Sequence, residues 1–172
     1  MNTEMINKYI KNNNDPFIVF KITLLHSDEE IKDLTSKAEE ILILDEILTM
    51  DQVISADVDI RTSYMVINQS NINQFKYITN KCGFKIKMVE FINDIWEFNN
   101  EEFQTFISLF GEEDPCPELT ELAFGLNNND LDILKTISES KFTIDDVLDK
   151  INIKNVDSLN ELNKYILEKE SR

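Results

Sequence analysis

Few residues in this chain are of kinds that do chemistry, and their spacing limits what each can do. His26 is the sole histidine and lies beside Glu29 and Glu30. One imidazole is a poor start for a metal centre, because catalytic zinc takes two or three protein ligands including His. A loop histidine without a metal is the simpler reading. Asp57 and Asp59 stand two residues apart and share one face if that stretch is extended. Paired carboxylates can hold Mg²⁺ beside a phosphate substrate. A phosphate-gripping loop must then be present, and three glycines leave no room for one. An exposed strand end is therefore the preferred reading of that pair. Cys116, between Pro115 and Pro117, precedes a helical pattern, a place that favours the thiolate. No histidine accompanies it as a base, so a cysteine nucleophile is not expected. Cys82 ends an amphipathic pattern and reads as core. No catalytic residue, metal site or cofactor is expected from these residues.

Binding is the better-supported expectation. The chain holds 33 acidic and 17 basic residues, a net charge of −16. Phosphate backbones attract basic patches, so direct nucleic-acid binding is not expected. A basic protein partner suits the charge. The imbalance is uneven: residues 16–93 hold 12 acids and 8 bases, whereas residues 94–172 hold 19 acids and 7 bases. The candidate contacts are Glu112, Glu113 and Asp114 in a proline-bounded loop, with Glu118 and Glu121 just after it. Trp96, Phe98, Phe103, Phe106 and Phe110 form an aromatic stripe; a docking groove is one reading, and a helical core face is the simpler one. No apolar run reaches the length of a membrane span and the first residues are polar, so a cytoplasmic protein is expected.

These residues must be positioned by elements that the hydrophobic pattern outlines. Residues 1–15 read as a short polar helix with Met5, Ile6, Tyr9 and Ile10 as its apolar side, ended before Pro16. FIVFKITLL, Phe17 to Leu25, is continuous enough in apolar residues to be a central strand. Ser27 and Glu30 make a capping box for a helix carrying Ile31, Leu34, Ala38, Ile41 and Leu42, which runs towards Met50.

The stretch Val58 to Ile92 is the organising unit. Val58, Ile60, Thr62, Tyr64 and Val66 alternate with Asp59, Arg61, Ser63, Met65 and Ile67, a half-buried strand pattern. A further strand from Asp51 to Ile60 can pair with Ser63 to Asn68 across a turn near Arg61-Thr62. Asn71 with Gln74 has capping-box spacing, and Ile72, Phe75, Ile78 and Thr79 share one helical face. Gly83 supplies a left-handed residue that ends this helix. Phe84, Ile86 and Met88 then alternate with Lys85, Lys87 and Val89 as a last strand. The order over residues 17–92 is β-α-β-β-α-β, the split ferredoxin-like arrangement.

The segment VISADVDIRTSYMVINQSNINQFKYITNKCGFKIKMVEF resembles the second half of a heavy-metal-associated domain. The resemblance rests on Ala56-Asp57-Val58-Asp59-Ile60, then Tyr64-Met65-Val66-Ile67, then Gly83-Phe84, and covers a little under half the chain. It implies a ferredoxin-like fold. That family's metal chemistry lies in a Met-x-Cys-x-x-Cys loop after the first strand. The matching positions here are Leu25, Ser27 and Glu30, preceded by Leu24, so the resemblance implies a scaffold that has lost its thiolate clamp.

Beyond residue 93 the pattern is helical. Asn99 or Asn100 can cap a helix with Glu101 and Glu102 in its first turn, ended by Gly111. Pro117 can start another. Further caps are Asp130 before Leu131, Ile133, Leu134 and Ile137; Thr143 with Asp146 before Ile144, Val147, Leu148 and Ile151; and Asp157 before Leu159, Leu162, Tyr165, Ile166 and Leu167. The expected chain is α+β: an N-terminal helix (1–15), a ferredoxin-like domain (16–93) and a small acidic helical region (94–172). Its expected function is that of a non-enzymatic intracellular protein-binding module, an inhibitor, immunity-type or adaptor protein. The alternatives are a metal or small-ligand sensor on the heavy-metal-associated scaffold, a DNA-mimic inhibitor, and an enzyme working through Asp57 and Asp59.

Overall fold

The computed structural model describes residues 9–10, 14–45, 53–57, 59–111 and 130–171. The chain divides into two compact units, Lys11–Glu90 and Met1–Ile10 with Phe91–Arg172.

The first unit is built on four antiparallel strands. These are β1 (Phe17–Leu24), β2 (Val53–Asp57), β3 (Thr62–Asn68) and β4 (Ile86–Glu90), in the spatial order β2-β3-β1-β4. Helix α1 (Asp28–Asp45) follows β1, and α2 (Ile72–Lys81) lies between β3 and β4. β1 is central as its apolar run requires, pairing Ile22 with Ser63 on one side and with Met88 on the other. The core joins Ile22, Ile67 and Phe75, with Phe20, Met65, Ile72, Ile86 and Met88 packed against them.

Met65 and Ile67 of β3 face this cluster, while Val66, on the strand's opposite face, is buried as well. The alternation from Val58 to Ile67 is also not one strand, because Asp59, Ile60 and Arg61 form a bend before β3 begins. The Asp59 carboxylate makes that bend by accepting from the backbone N–H of Arg61 (2.7 Å) and Thr62 (2.8 Å).

The Ser27–Glu30 capping box forms: Ser27 N donates to Glu30 Oε2 (2.9 Å), and Glu30 N to Ser27 Oγ (3.4 Å). The Asn71–Gln74 box does not. Asn71 is itself helical, the last residue of a 3₁₀ turn (Gln69–Asn71), and makes no side-chain cap. Asp15 anchors this turn from far along the chain, accepting from Ser70 N (2.8 Å), Ser70 Oγ (2.8 Å) and Asn68 Nδ2 (3.1 Å). Those donors, Ser70's N–H first, hold the Asp15 carboxyl below its ordinary range. Gly83 (φ +84°) closes α2 as a Schellman motif, with Gly83 N donating to Asn80 O and Phe84 N to Thr79 O.

The second unit is helical. Among the described residues it contains α3 (Phe91–Glu97), α4 (Asn100–Gly111), α5 (Asp130–Lys141), α6 (Ile144–Lys154), a 3₁₀ turn (Val156–Ser158) and α7 (Glu161–Glu170). Tyr9 and Ile10 are also helical; the rest of the expected first helix lies outside the described residues. Phe91 and Ile92, expected to finish the last strand, instead begin α3, where Phe91, Ile92, Ile95 and Trp96 are buried. Asn99 is the cap of α4, accepting from Glu102 N (2.8 Å) while its own N–H donates to Glu102 Oε2 (2.9 Å). Phe103 is fully buried, and Phe106 sits 6.1–6.5 Å from the rings of Phe91, Phe98 and Phe103, so this part of the aromatic stripe is core. Thr143 and Asp146 form their capping box on α6.

The last helix starts later than its pattern suggests. Asp157 lies in the 3₁₀ turn, and α7 is capped by Asn160 and Asn163, which bond each other reciprocally (3.1 and 3.2 Å). Both asparagines are fully buried. The Asn160 amide reaches the end of α3 and donates to Ile95 O (2.9 Å) and Phe98 O (3.0 Å). Trp96 O accepts from the Lys150 ammonium, and Lys150 is itself buried. Carbonyls in the last turn of α3 and just beyond it are thus met by side chains from α6 and from the cap of α7.

Candidate functional site

The sequence candidates separate cleanly. His26 belongs to the scaffold: its Nε2 accepts the backbone N–H of Lys85 (2.7 Å), its ring meets Phe84 edge-on, and its Nδ1 is 3.9 Å from Glu30 Oε2. An Nε2 so engaged has no lone pair left for a metal. Asp57 ends β2, whereas Asp59 is in the bend with its carboxylate turned to the backbone, so the two do not form a pair on one strand face. Cys82 is buried, as its place at a helix end suggests. Cys116, Glu112, Glu113, Asp114, Glu118 and Glu121 lie outside the described residues. Among the described residues no three His, Cys, Asp or Glu side chains converge as a metal site.

In the sheet unit the structure shows a cleft of about 370 Å³ that sequence reasoning missed. Its floor includes Ile22, Met65 and Ile86; Ile31 of α1 and Phe75 of α2 line it, together with Phe84. Asp57, Asp59, Ile60 and Arg61 line its mouth end. Arg61 is committed to Asp28 at the start of α1, with Nε and Nη2 at 2.8 and 2.7 Å from Oδ1. The hydroxyls of Thr35 and Thr79 are spent on carbonyls of their own helices. The Asp59 carboxyl is held below its ordinary range, first by the N–H of Arg61.

In the helical unit a groove of about 350 Å³ runs past Trp96, Phe142, Asp146, Asp149, Lys150 and Ile153. Trp96 and Phe142 stack face to face with ring centres 3.9 Å apart. Burial holds the Lys150 ammonium below its ordinary range, and neighbouring Glu97 opposes that shift. Lys154 is paired with Glu97. Next to this groove α6 and its following turn leave large apolar side chains in water: Ile153 is 80% exposed and Val156 61%. Leu148, expected on the buried face of α6, is 44% exposed, since Val147 and Lys150 take the inward positions. Asp145, Asp149 and Asp157 are exposed on the same elements.

No described helix is long and apolar enough to cross a membrane. Comparison with family models, curated proteins and solved structures finds nothing that matches this chain.

Proposed function

We propose that the chain is a non-enzymatic intracellular protein-binding module, of the inhibitor, immunity or adaptor kind, that recruits a basic partner through α6 and the turn after it. The observation that carries this reading is the exposure of Ile153 and Val156 among the carboxylates Asp145, Asp149 and Asp157. Burying one such aliphatic side chain at an interface contributes about 1.5–3 kcal/mol. The surrounding negative field adds rate and selectivity toward a cationic partner. Residues 91–172 supply that field with 19 acidic and 7 basic residues, a net of −12. For the sheet unit we infer a ferredoxin-like arrangement; the order β2-β3-β1-β4 and the helices after β1 and β3 support it. Kinship to heavy-metal-associated domains remains a proposal of the same kind, and Leu25, Ser27 and Glu30 argue for a copy without the metal clamp.

Affinity capture from the source cell, run with the natural chain and with an Ile153→Asp, Asp149→Lys variant, tests the reading. A partner retained by the first, released by salt and absent from the second is expected. Recovery that is indifferent to salt, or equal for both chains, counts against it.

A further inference from the structure

The cleft in the sheet unit is not used by the reading above. We propose that it is a binding site for a small amphipathic cation, an amine with an apolar body, whose body lies along Ile22, Ile31, Phe75 and Phe84 and whose ammonium meets Asp57.

Three observations lead there. The cleft's volume of about 370 Å³ matches the size of small-ligand pockets, and its lining is mostly apolar. Its charged lining is Asp57, Asp59 and Arg61, and Arg61 is already matched by Asp28 at the start of α1, so the cleft's own excess is negative. The polar groups around it are not equally available. Asp59 is occupied with its turn, and Thr35 and Thr79 with their helices. The Asp57 carboxylate, at the end of β2, has no hydrogen bond or ion pair among the described residues. A carboxylate at the rim of an apolar pocket selects a ligand that brings its own proton donors and positive charge. An anionic or neutral ligand of the same shape meets repulsion or gains nothing from Asp57.

The site is independent of the surface on α6, so it can fail while that reading stands. The full chain is titrated with hexylamine, and with hexanol and hexanoate as controls. Melting temperature and methyl NMR shifts of Ile22, Ile31 and Met65 are followed. Hexylamine raises the melting temperature in a saturable way and moves those methyl signals. Asp57→Asn weakens it about tenfold, while Ile153→Asp leaves it unchanged. Equal binding of the three probes, no response of those methyls, or an Asp57→Asn variant that binds as the natural chain does overturns the proposal. Oligolysine that shifts the same methyls when no free amine does so overturns it too, and assigns the cleft to a protein side chain.

Discussion

Replacing Asn160 by alanine tests how the helical unit is held together. Asn160 is fully buried and does two things at once. Its Oδ1 caps α7 through Asn163 N, and its Nδ2 supplies Ile95 O and Phe98 O at the end of α3. Losing an N-cap costs about 1 kcal/mol. A buried carbonyl stripped of its donor costs about 1–3 kcal/mol. Ile95 O keeps the N–H of Phe98 at 3.2 Å, so Phe98 O bears most of that loss. The sum is about 2–4 kcal/mol, a large share of the 5–15 kcal/mol that typically separates a folded domain from its unfolded chain. With a urea slope near 2 kcal/mol per molar, the midpoint falls by about 1–2 M. Trp96 is the sole tryptophan and belongs to this unit, so its fluorescence reports the transition. Asn160→Asp separates the two roles. Aspartate caps as well as asparagine does, but it turns an anion toward the carbonyl end of α3, where the helix dipole is also negative. It is expected to cost at least as much as alanine. An aspartate variant as stable as the natural chain would refute the role given to the amide.

Gly83→Ala forces an L-residue to φ +84° and brings its Cβ to 3.2 Å from Leu34 Cδ2; a loss of about 1–2 kcal/mol is expected, read as faster amide exchange in α2 and β4. Asp15→Ala removes the anchor of the 3₁₀ turn and costs about 1 kcal/mol at neutral pH. Because the folded Asp15 carboxyl titrates below its unfolded value, its contribution is complete above the ordinary carboxylate range and is lost as pH falls through the folded value. The gap between the natural chain and Asp15→Ala therefore closes in acid, and a gap that persists there counts against the mechanism. Ser138 is fully buried and its Oγ has no hydrogen-bond partner among the described residues; Ser138→Ala should raise stability by about 1 kcal/mol, and a lower melting temperature would show that the hydroxyl is satisfied. Lys150→Met keeps the buried stem and removes the charge but also the donor to Trp96 O, so it should cost less than Lys150→Ala, which should lose about 2 kcal/mol. Burial lowers the folded Lys150 value, so the natural chain gains stability as pH rises from that value toward the ordinary lysine range; the methionine variant should lack this rise in urea titrations.

Much of the sheet unit was legible because its signals are local. The apolar run at Phe17, the Ser27–Glu30 box and Gly83 each act within a few residues, and each appears where its pattern lies. The misreadings occur where a distant partner decides. Asn71 has capping-box spacing, but Asp15 draws Ser70 into a 3₁₀ turn and the helix enters through it. Alternation along β3 cannot say which face is covered, and both are, since Val66 and Ile67 are each buried. Pattern alone carries the last strand to Ile92, because a short apolar run fits a strand or a buried helix equally well, and Phe91–Glu97 is the latter. The cleft was not legible at all. Its lining residues come from β1, β2, β3, β4, α1 and α2, and only the fold brings them together.

The choice between Asp157 and Asn160 as the cap of α7 shows what residue type encodes beyond propensity. At a solvated helix start, Ser, Asp and Asn serve about equally, because only an acceptor is needed. Judged on that alone, Asp157 is the natural choice, with an acidic side chain that also suits the dipole. The start of α7 is not solvated, however. It faces the carbonyl end of another helix, and a group there must accept from one backbone while donating to a second. Of the usual caps only asparagine carries both an acceptor and two amide hydrogens. A carboxylate is disfavoured by the same geometry, because it brings no hydrogen to donate to the carbonyl oxygens it would face. An Asn-x-x-Asn pair at a buried helix start thus marks a junction between helices, and the junction in turn fixes where α7 begins.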